Sequence, residues 1–175
     1  MLSMHWRSSL DRHTIGLGMG YQYGIFTPVF RTHGHRKNNE AWTIGGDAYR
    51  HIRAAIFLRE RLRPYVMQQM KFASERGLPP MRPLFFDFAD DLQAITVEDQ
   101  FLFGPDLLIA PITRYQARSR TVYLPAGVHW CDAWTGKEQA GGQHIVADAP
   151  LEHIPVYVRR ERADLIDLFQ GLYEL

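Results

Sequence analysis

Apolar residues follow three rhythms along this chain, and each rhythm predicts a different element. From Ile25 to Phe30 they run almost continuously around Pro28, which predicts a short strand with the proline near its start or at a sheet edge. Ile52, Ala55, Ile56, Leu62, Tyr65, Val66 and Met70 then recur at three- and four-residue steps, the spacing of an amphipathic helix from about Ala48 to Arg76. Asp47 is placed to cap the start of that helix, and Gly77, with Pro79 and Pro80 beyond, to end it. Pro64 falls inside the pattern and predicts a kink or a split.

After Pro80 the period shortens. "MRPLFFDF", "DQFLFGPDLLIAPI", "SRTVYLP", "VHWCDAW", "QHIVADA" and "IPVYVR" read as short strands separated by turns such as "PAGV" and "TGKEQAGG", a spacing that predicts an antiparallel sandwich. The final "RRERADLIDLFQGLYEL" turns helical again. Its apolar set, Leu165, Ile166, Leu168, Phe169, Leu172 and Tyr173, predicts docking onto the sandwich, with pairing to another chain as the alternative. At the other end, "TIGLGMG" has glycines at alternate positions and no Lys-Ser/Thr after them, so it reads as a leader and not as a phosphate loop. The composite is one strand, a long helix and a β module. A lone strand with a crossover helix cannot complete a parallel sheet, so the first part reads as a piece of a larger fold.

Composition narrows the partners more than the fold. The 175 residues are 46% hydrophobic and 22% charged, which predicts a packed core. Lys+Arg 20 against Asp+Glu 19 leaves no electrostatic case for nucleic acid or a membrane surface. Cys131 is the single cysteine, so no intrachain disulfide can form and a reducing compartment is the simpler expectation. The N-terminal residues have no apolar signal core, and no stretch is long and apolar enough to span a bilayer; a soluble, cytoplasmic protein is expected.

The chemistry concentrates where the first apolar run ends, at Arg31, His33 and His35. A buried strand has no use for a cation and imidazoles at its tip, so these side chains are candidates for holding a ligand. His33 and His35 with Glu40 or His51 would be a metal site only if a third ligand stood at a standard spacing, and none is evident. Rim histidines in a loop are the better reading. Trp130 and Trp134 are read as core before sugar platforms. Arg82 is read as an anchor through backbone carbonyls, and Asp106 as a turn former.

Five ordered stretches then carry a resemblance: "YQYGIFTPVFRTHG", "LRPYVMQQMKFASERGLPPMRPLFFDFADD", "DQFLFGPDLLIAPI", "VYLPAGVHWCDAWTG" and "APLEHIPVYVR". Together, from about Tyr21 to Arg159, they resemble glycoside hydrolase family 31, which includes α-glucosidases and α-xylosidases. The resemblance implies a fold of α/β plus all-β class: the last strand and helix of a (β/α)₈ TIM barrel followed by an antiparallel β-sandwich. Its implied divisions are an atypical leader over 1–20, the barrel end over 21–80, the sandwich over 81–160 and a terminal helix or tail over 161–175. Active sites of such barrels lie at the C-terminal ends of the strands. His33 would then hydrogen-bond hydroxyls of the sugar being cleaved, and Arg31 would lie in or just behind that shell.

The resemblance further implies a retaining α-glycosidase acting on α-linked glucosides or xylosides, with two carboxyl groups roughly 5–5.5 Å apart and no metal or organic cofactor. Both carboxylates would be aspartates on earlier strands, in patterns like W-x-D-M and G-D-N. Neither pattern occurs in this sequence, so nucleophile and acid/base are expected upstream of it and the chain alone is expected to be inactive. Asp87, Asp90, Asp91, Glu98 and Asp99 are read as turn formers and caps and not as substitutes. The expected partners are an α-linked substrate and either the remaining barrel segment or another copy of the chain. A non-catalytic carbohydrate-binding or scaffolding sandwich is the alternative.

Overall fold

The computed structural model describes residues 20–31, 40–43, 46–114 and 116–174. The leader before Gly20 lies outside them. The long helical pattern is two helices, α1 (Gly46–Arg61) and α2 (Arg63–Arg76), parted at Leu62. Pro64 sits in the first turn of α2, where its missing N–H has no helical partner to lose. Gly77 closes α2 in the left-handed conformation at φ 69°, its N–H donating to the Ala73 carbonyl. The start is earlier than predicted. Because α1 begins at Gly46, Asp47 lies inside the first turn and does not precede it.

One face of these helices buries Ala55, Leu58, Leu62, Tyr65 and Val66. Ile56 and Met70 belong to the predicted apolar set yet stay 43% and 38% exposed. The apolar stripe is therefore wider than the surface the described residues supply to cover it.

Ile25–Phe30 is not a strand. The chain is helical from Gly20 to Gly24 and then turns: Phe26 N donates to Tyr23 O and Thr27 N to Gly24 O, at 3.1 and 3.2 Å. The reason is backbone accounting. A strand inside a barrel takes its hydrogen bonds from both neighbours, and no described residue offers it an edge. The segment satisfies itself locally, and the side chains of Ile25 and Phe26 still bury completely against the helices and sheet.

The β module is a six-stranded antiparallel sheet in the order β1-β2-β3-β8-β5-β6 and a separate antiparallel pair, β4-β7. Its strands are β1 (Met81–Arg82), β2 (Phe101–Phe103), β3 (Leu107–Ile109), β4 (Ser119–Leu124), β5 (His129–Asp132), β6 (Glu138–Ala140), β7 (Gln143–Asp148) and β8 (Val156–Arg159). "MRPLFFDF" supplies only β1 before Pro83 diverts Leu84–Phe86 into a 3₁₀ turn. Alternation along the central strands feeds two cores. Leu107, Ile109, Val156 and Val158 face the helices, while Leu102, Leu108 and Tyr157 face the β4-β7 pair and the fully buried Trp130. The module is thus a sandwich with helices on its outer face.

The terminal stretch is a 3₁₀ helix, Arg160–Phe169, and it docks as expected, burying Leu165, Phe169 and Leu172 in the helix-side core. Arg61 of α1 holds it by donating to the carbonyls of Leu168 and Gln170. Helices and sheet meet at Tyr65, whose hydroxyl donates to Phe103 O at 2.9 Å and accepts from Asp106 N at 3.3 Å. Burial pushes that hydroxyl far above the usual tyrosine range, which keeps it a donor.

Gly104 makes this close approach possible. Its φ is +62°, and a Cβ there would stand 2.2 Å from the Tyr65 hydroxyl and 2.7 Å from Gln69 Cδ. Gly104→Ala should therefore cost about 3 kcal/mol, combining left-handed strain with overpacking. Thermal unfolding should register that as a fall of roughly 10 °C in Tm. An unchanged midpoint would mean that the loop relaxes freely and the junction is not tight.

Candidate functional site

The sequence places its ligand-binding candidates just after Phe30, and α1 determines how the turn that precedes them, Ile25–Phe30, sits. Arg59 reaches from α1 across the turn: Nη1 donates to the carbonyls of Ile25 and Thr27 at 2.5 and 2.7 Å, and Nη2 to Pro28 O at 3.1 Å. Its guanidinium carbon lies 5.9 Å from the Phe30 ring centroid, and Tyr21 meets the same ring edge-on at 5.7 Å. Burial lowers the Arg59 pKa from its ordinary value. Arg31 follows directly and is exposed. His33 and His35 lie outside the described residues.

Nothing in the sequence alone marks Arg59. The nearest signal is its position one residue after Leu58 on the buried stripe of α1, where a cation needs acceptors. His51, weighed as a metal ligand, is half-buried with its ring 5.9 Å from Tyr173 and its Nδ1 without a hydrogen-bond partner. Glu40 is exposed. Among the described residues no group of three potential metal ligands comes together.

The acids of the β module are mostly occupied structurally. Asp91 caps the short helix Leu92–Ile95, accepting from Gln93 N and Ala94 N, and also accepts from the Tyr123 hydroxyl and Ala126 N. Asp99 pairs with Arg120 at 2.6 Å, and Arg120 also donates to the carbonyls of Asp99 and Pro111. Asp90 and Glu98 are exposed. Asp106 does more than form a turn: its Oδ2 pairs with Arg162 at 3.1 Å, tying the terminal 3₁₀ helix to the sheet.

Arg82 corrects its expected role. It is buried, and its Nε lies 2.9 Å from Asp87 Oδ2 instead of reaching backbone carbonyls. That contact is Coulombic and not directional, since the Nε–H has no hydrogen-bond partner. Asp87 is thereby the counter-charge of a buried arginine. The two tryptophans also lose any platform role. Trp130 is fully buried with Nε1 donating to Pro125 O, and Trp134 is stacked at 4.2 Å on His153 with Phe169 against its edge. Between the start of the helical turn and β2 lies a cleft of about 550 Å³ lined by Tyr23, Phe101, Glu98 and Thr113. Among its described lining residues Glu98 is the free carboxylate, because Asp99 beside it is committed to Arg120. No pair of acids suited to glycosyl transfer faces another among the described residues.

Comparison with known proteins decides what this arrangement belongs to. Residues 20–69 match the sequence model of the Glycosyl hydrolases family 31 TIM-barrel domain, and residues 77–163 that of the Glycosyl hydrolase family 31 C-terminal domain. The chain belongs to glycoside hydrolase family 31. It is 39% identical over 145 residues to Alpha-glucosidase 2 of Bacillus thermoamyloliquefaciens, covering 81% of this chain and 18% of that protein. It is 34% identical over 139 residues to Alpha-xylosidase of Saccharolobus solfataricus, covering 79% of this chain and 19% of that one. A crystal structure of a family 31 α-xylosidase from a soil metagenome, complexed with xylose, superposes with a TM-score of 0.81 at 41% identity. That match covers 90% of this chain and 26% of the xylosidase. The chain spans about a fifth of the length of these curated relatives. The expected fold class stands: the end of a family 31 barrel followed by a β-sandwich.

Asp91 gives a test of the structural reading of the acids. Burial alone would raise its pKa, but hydrogen bonds from Ala126 N, Tyr123 Oη, Ala94 N and Gln93 N outweigh that and hold it below the usual value. A depressed carboxyl stabilises the fold fully above its unfolded pKa of about 3.9, and that contribution is lost as pH falls through the lower folded value. Asp91→Asn should therefore lower stability by roughly 1–2 kcal/mol at neutral pH. In urea titrations the gap from wild type should close below about pH 4. A pH-independent gap would assign the loss to packing alone.

Proposed function

We propose that this chain is the C-terminal part of a retaining α-glycosidase that hydrolyses O-glycosyl bonds of α-glucosides or α-xylosides. The observation that carries the reading is the tandem order of the two family 31 matches, barrel end over 20–69 and C-terminal domain over 77–163. Relatives named for both substrates support the class and leave glucoside and xyloside side by side. On this reading residues 21–80 close the barrel, 81–160 form the sandwich and 161–175 the tail. His33 hydrogen-bonds hydroxyls of the bound sugar, with Arg31 in or behind that shell. A neutral imidazole holds a hydroxyl without adding charge beside the carboxyl pair. The reaction uses no cofactor. The protein works in the cytoplasm and engages neither nucleic acid nor membrane; no described helix is long and apolar enough to cross one.

The two catalytic aspartates come from a barrel segment that these 175 residues do not contain, so the chain on its own is inactive. The purified chain should release no 4-nitrophenol from 4-nitrophenyl α-glucoside or α-xyloside. Assembly with a family 31 barrel segment bearing both aspartates should restore turnover, and His33→Ala in that assembly should lower kcat/KM by about 10–100-fold, the worth of one or two lost hydroxyl contacts. Hydrolysis by the chain alone, abolished by Asp91→Asn or another local acid substitution, would overturn the reading.

The exposed helix face has its own consequence. Tyr49, Ile56, Phe57, Met67 and Met70 form an apolar surface on α1 and α2, with Met67 63% exposed. The remaining barrel, or a second copy of the chain, is the partner that covers it. Size-exclusion chromatography with light scattering should show the isolated chain well above its 20.3 kDa mass. A compact monomer at high concentration would contradict this.

A further inference from the structure

We propose that β7 (Gln143–Asp148) is an interaction edge that pairs antiparallel with β7 of a second copy of this chain, about a two-fold axis at Val146. This edge lies on the β4-β7 side of the sheet, across from α1 and α2, and the inference does not depend on the glycosidase reading.

The ladder shows which way the backbone of β7 points. β4 and β7 pair without interruption from Ser119↔Asp148 to Leu124↔Gln143. Ala149 N donates to Arg118 O at 2.8 Å, just outside Ser119↔Asp148, which makes that pair a non-hydrogen-bonded one. By alternation Thr121↔Val146 and Tyr123↔His144 are non-hydrogen-bonded too. The partner strand agrees: Tyr123 N and O turn outward, each meeting the side-chain amide of Gln100 at 2.8 Å. The N–H and C=O groups of His144, Val146 and Asp148 therefore point away from β4, and no described residue bonds them.

The other sheet edges among the described residues are protected. β1 is two residues long, between Pro80 and Pro83. β6 has three, preceded by Lys137 and tied at Glu138 to Arg160. On β4, Gln100 occupies both backbone groups of Tyr123, and Arg120 Nε donates to Thr121 O at 3.1 Å. β7 has six residues and no proline, lysine, glycine or bulge, and Val146 near its centre is 76% exposed.

Its own sequence supplies the fitting partner. Turned antiparallel on a copy about Val146, the strand sets Val146 against Val146, His144 against Asp148 and Ile145 against Ala147. Each outward-pointing position becomes a hydrogen-bonded pair that exchanges two backbone bonds. The imidazole meets the carboxylate on both sides of the axis, a cross-strand pairing that stabilises a sheet where like charges would weaken it. His144 is already oriented for this by the Tyr123 ring, 4.9 Å away between centroids. A slip of two residues opposes His144 to Val146 and leaves Asp148 unmatched, so the charges select the register. On the other face Ile145 and Ala147 belong to the core around Trp130, and pairing continues that apolar row into the second copy. β4-β7 by itself is a two-stranded sheet, the least stable kind, and the dimer makes it four-stranded.

The test is amide hydrogen exchange, followed residue by residue on the full 175-residue chain at micromolar and at near-millimolar concentration. Expected on concentrating is a fall of about tenfold or more at His144, Val146 and Asp148, with Ile145 and Ala147, already bonded to β4, unchanged. Association through the helix face would not produce that alternation. Val146→Pro removes an N–H that β4 does not use and should abolish the fall. His144→Asp opposes two carboxylates on each side of the axis and should weaken the dimer by about tenfold. Adding Asp148→His to that variant regenerates the pairs in reverse order and should restore it. A chain that stays monomeric near millimolar, or one that self-associates while the three amides remain unprotected, overturns the proposal. Protection that changes neither with concentration nor with His144→Asp means an edge covered within one chain, and overturns it as well.

Discussion

A sheet buried on both faces needs two different covers, and that requirement organises the molecule. β3 and β8 alternate their side chains between the α1–α2 side and the β4-β7 side, so neither face can meet water. The helices are thereby fixed to one face and the β4-β7 pair to the other. Fixing α1 fixes Arg59, and Arg59 in turn holds the turn that leads to Arg31. Ile25–Phe30 belongs to the family's barrel match, yet among the described residues its placement depends on packing that begins in the sandwich.

Elements governed by local chemistry were legible in the sequence. Pro64 and Gly77 broke and ended the helices as their backbone preferences dictate, and the alternating runs after Pro80 became antiparallel strands. What escaped was decided by partners. Ile25–Phe30 has the composition of a strand but, among the described residues, no edge to pair with, so propensity lost to hydrogen-bond satisfaction. The aromatic pair in "MRPLFFDF" promised a longer strand than Pro83 permits. Arg82 and Arg59 gave no sign of their acceptors, because a long side chain chooses among groups far away in sequence. Of the two site residues read from the chain, Arg31 is exposed at the end of the clamped turn and His33 lies beyond the described residues.

The acids illustrate how a sandwich uses carboxylates. Asp87, Asp99 and Asp106 each neutralise an arginine, and Asp91 gathers four hydrogen-bond donors at a helix start. Each is committed to holding a loop against the sheet. A carboxylate so engaged is a poor nucleophile and a poor proton carrier, since either task would break the contacts that hold it in place.

The Tyr65 junction bears on how that rigidity is delivered. One phenol joins a helix to the last carbonyl of β2 and to the Asp106 amide in the loop that follows, over a glycine that lets the tyrosine and Gln69 side chains come close, and an arginine from the terminal segment seals the far side. Such a weld leaves no swivel between the barrel end and the module behind it. The sandwich therefore acts as a buttress and not as a flap, and any push on the barrel end is passed straight into the sheet behind it.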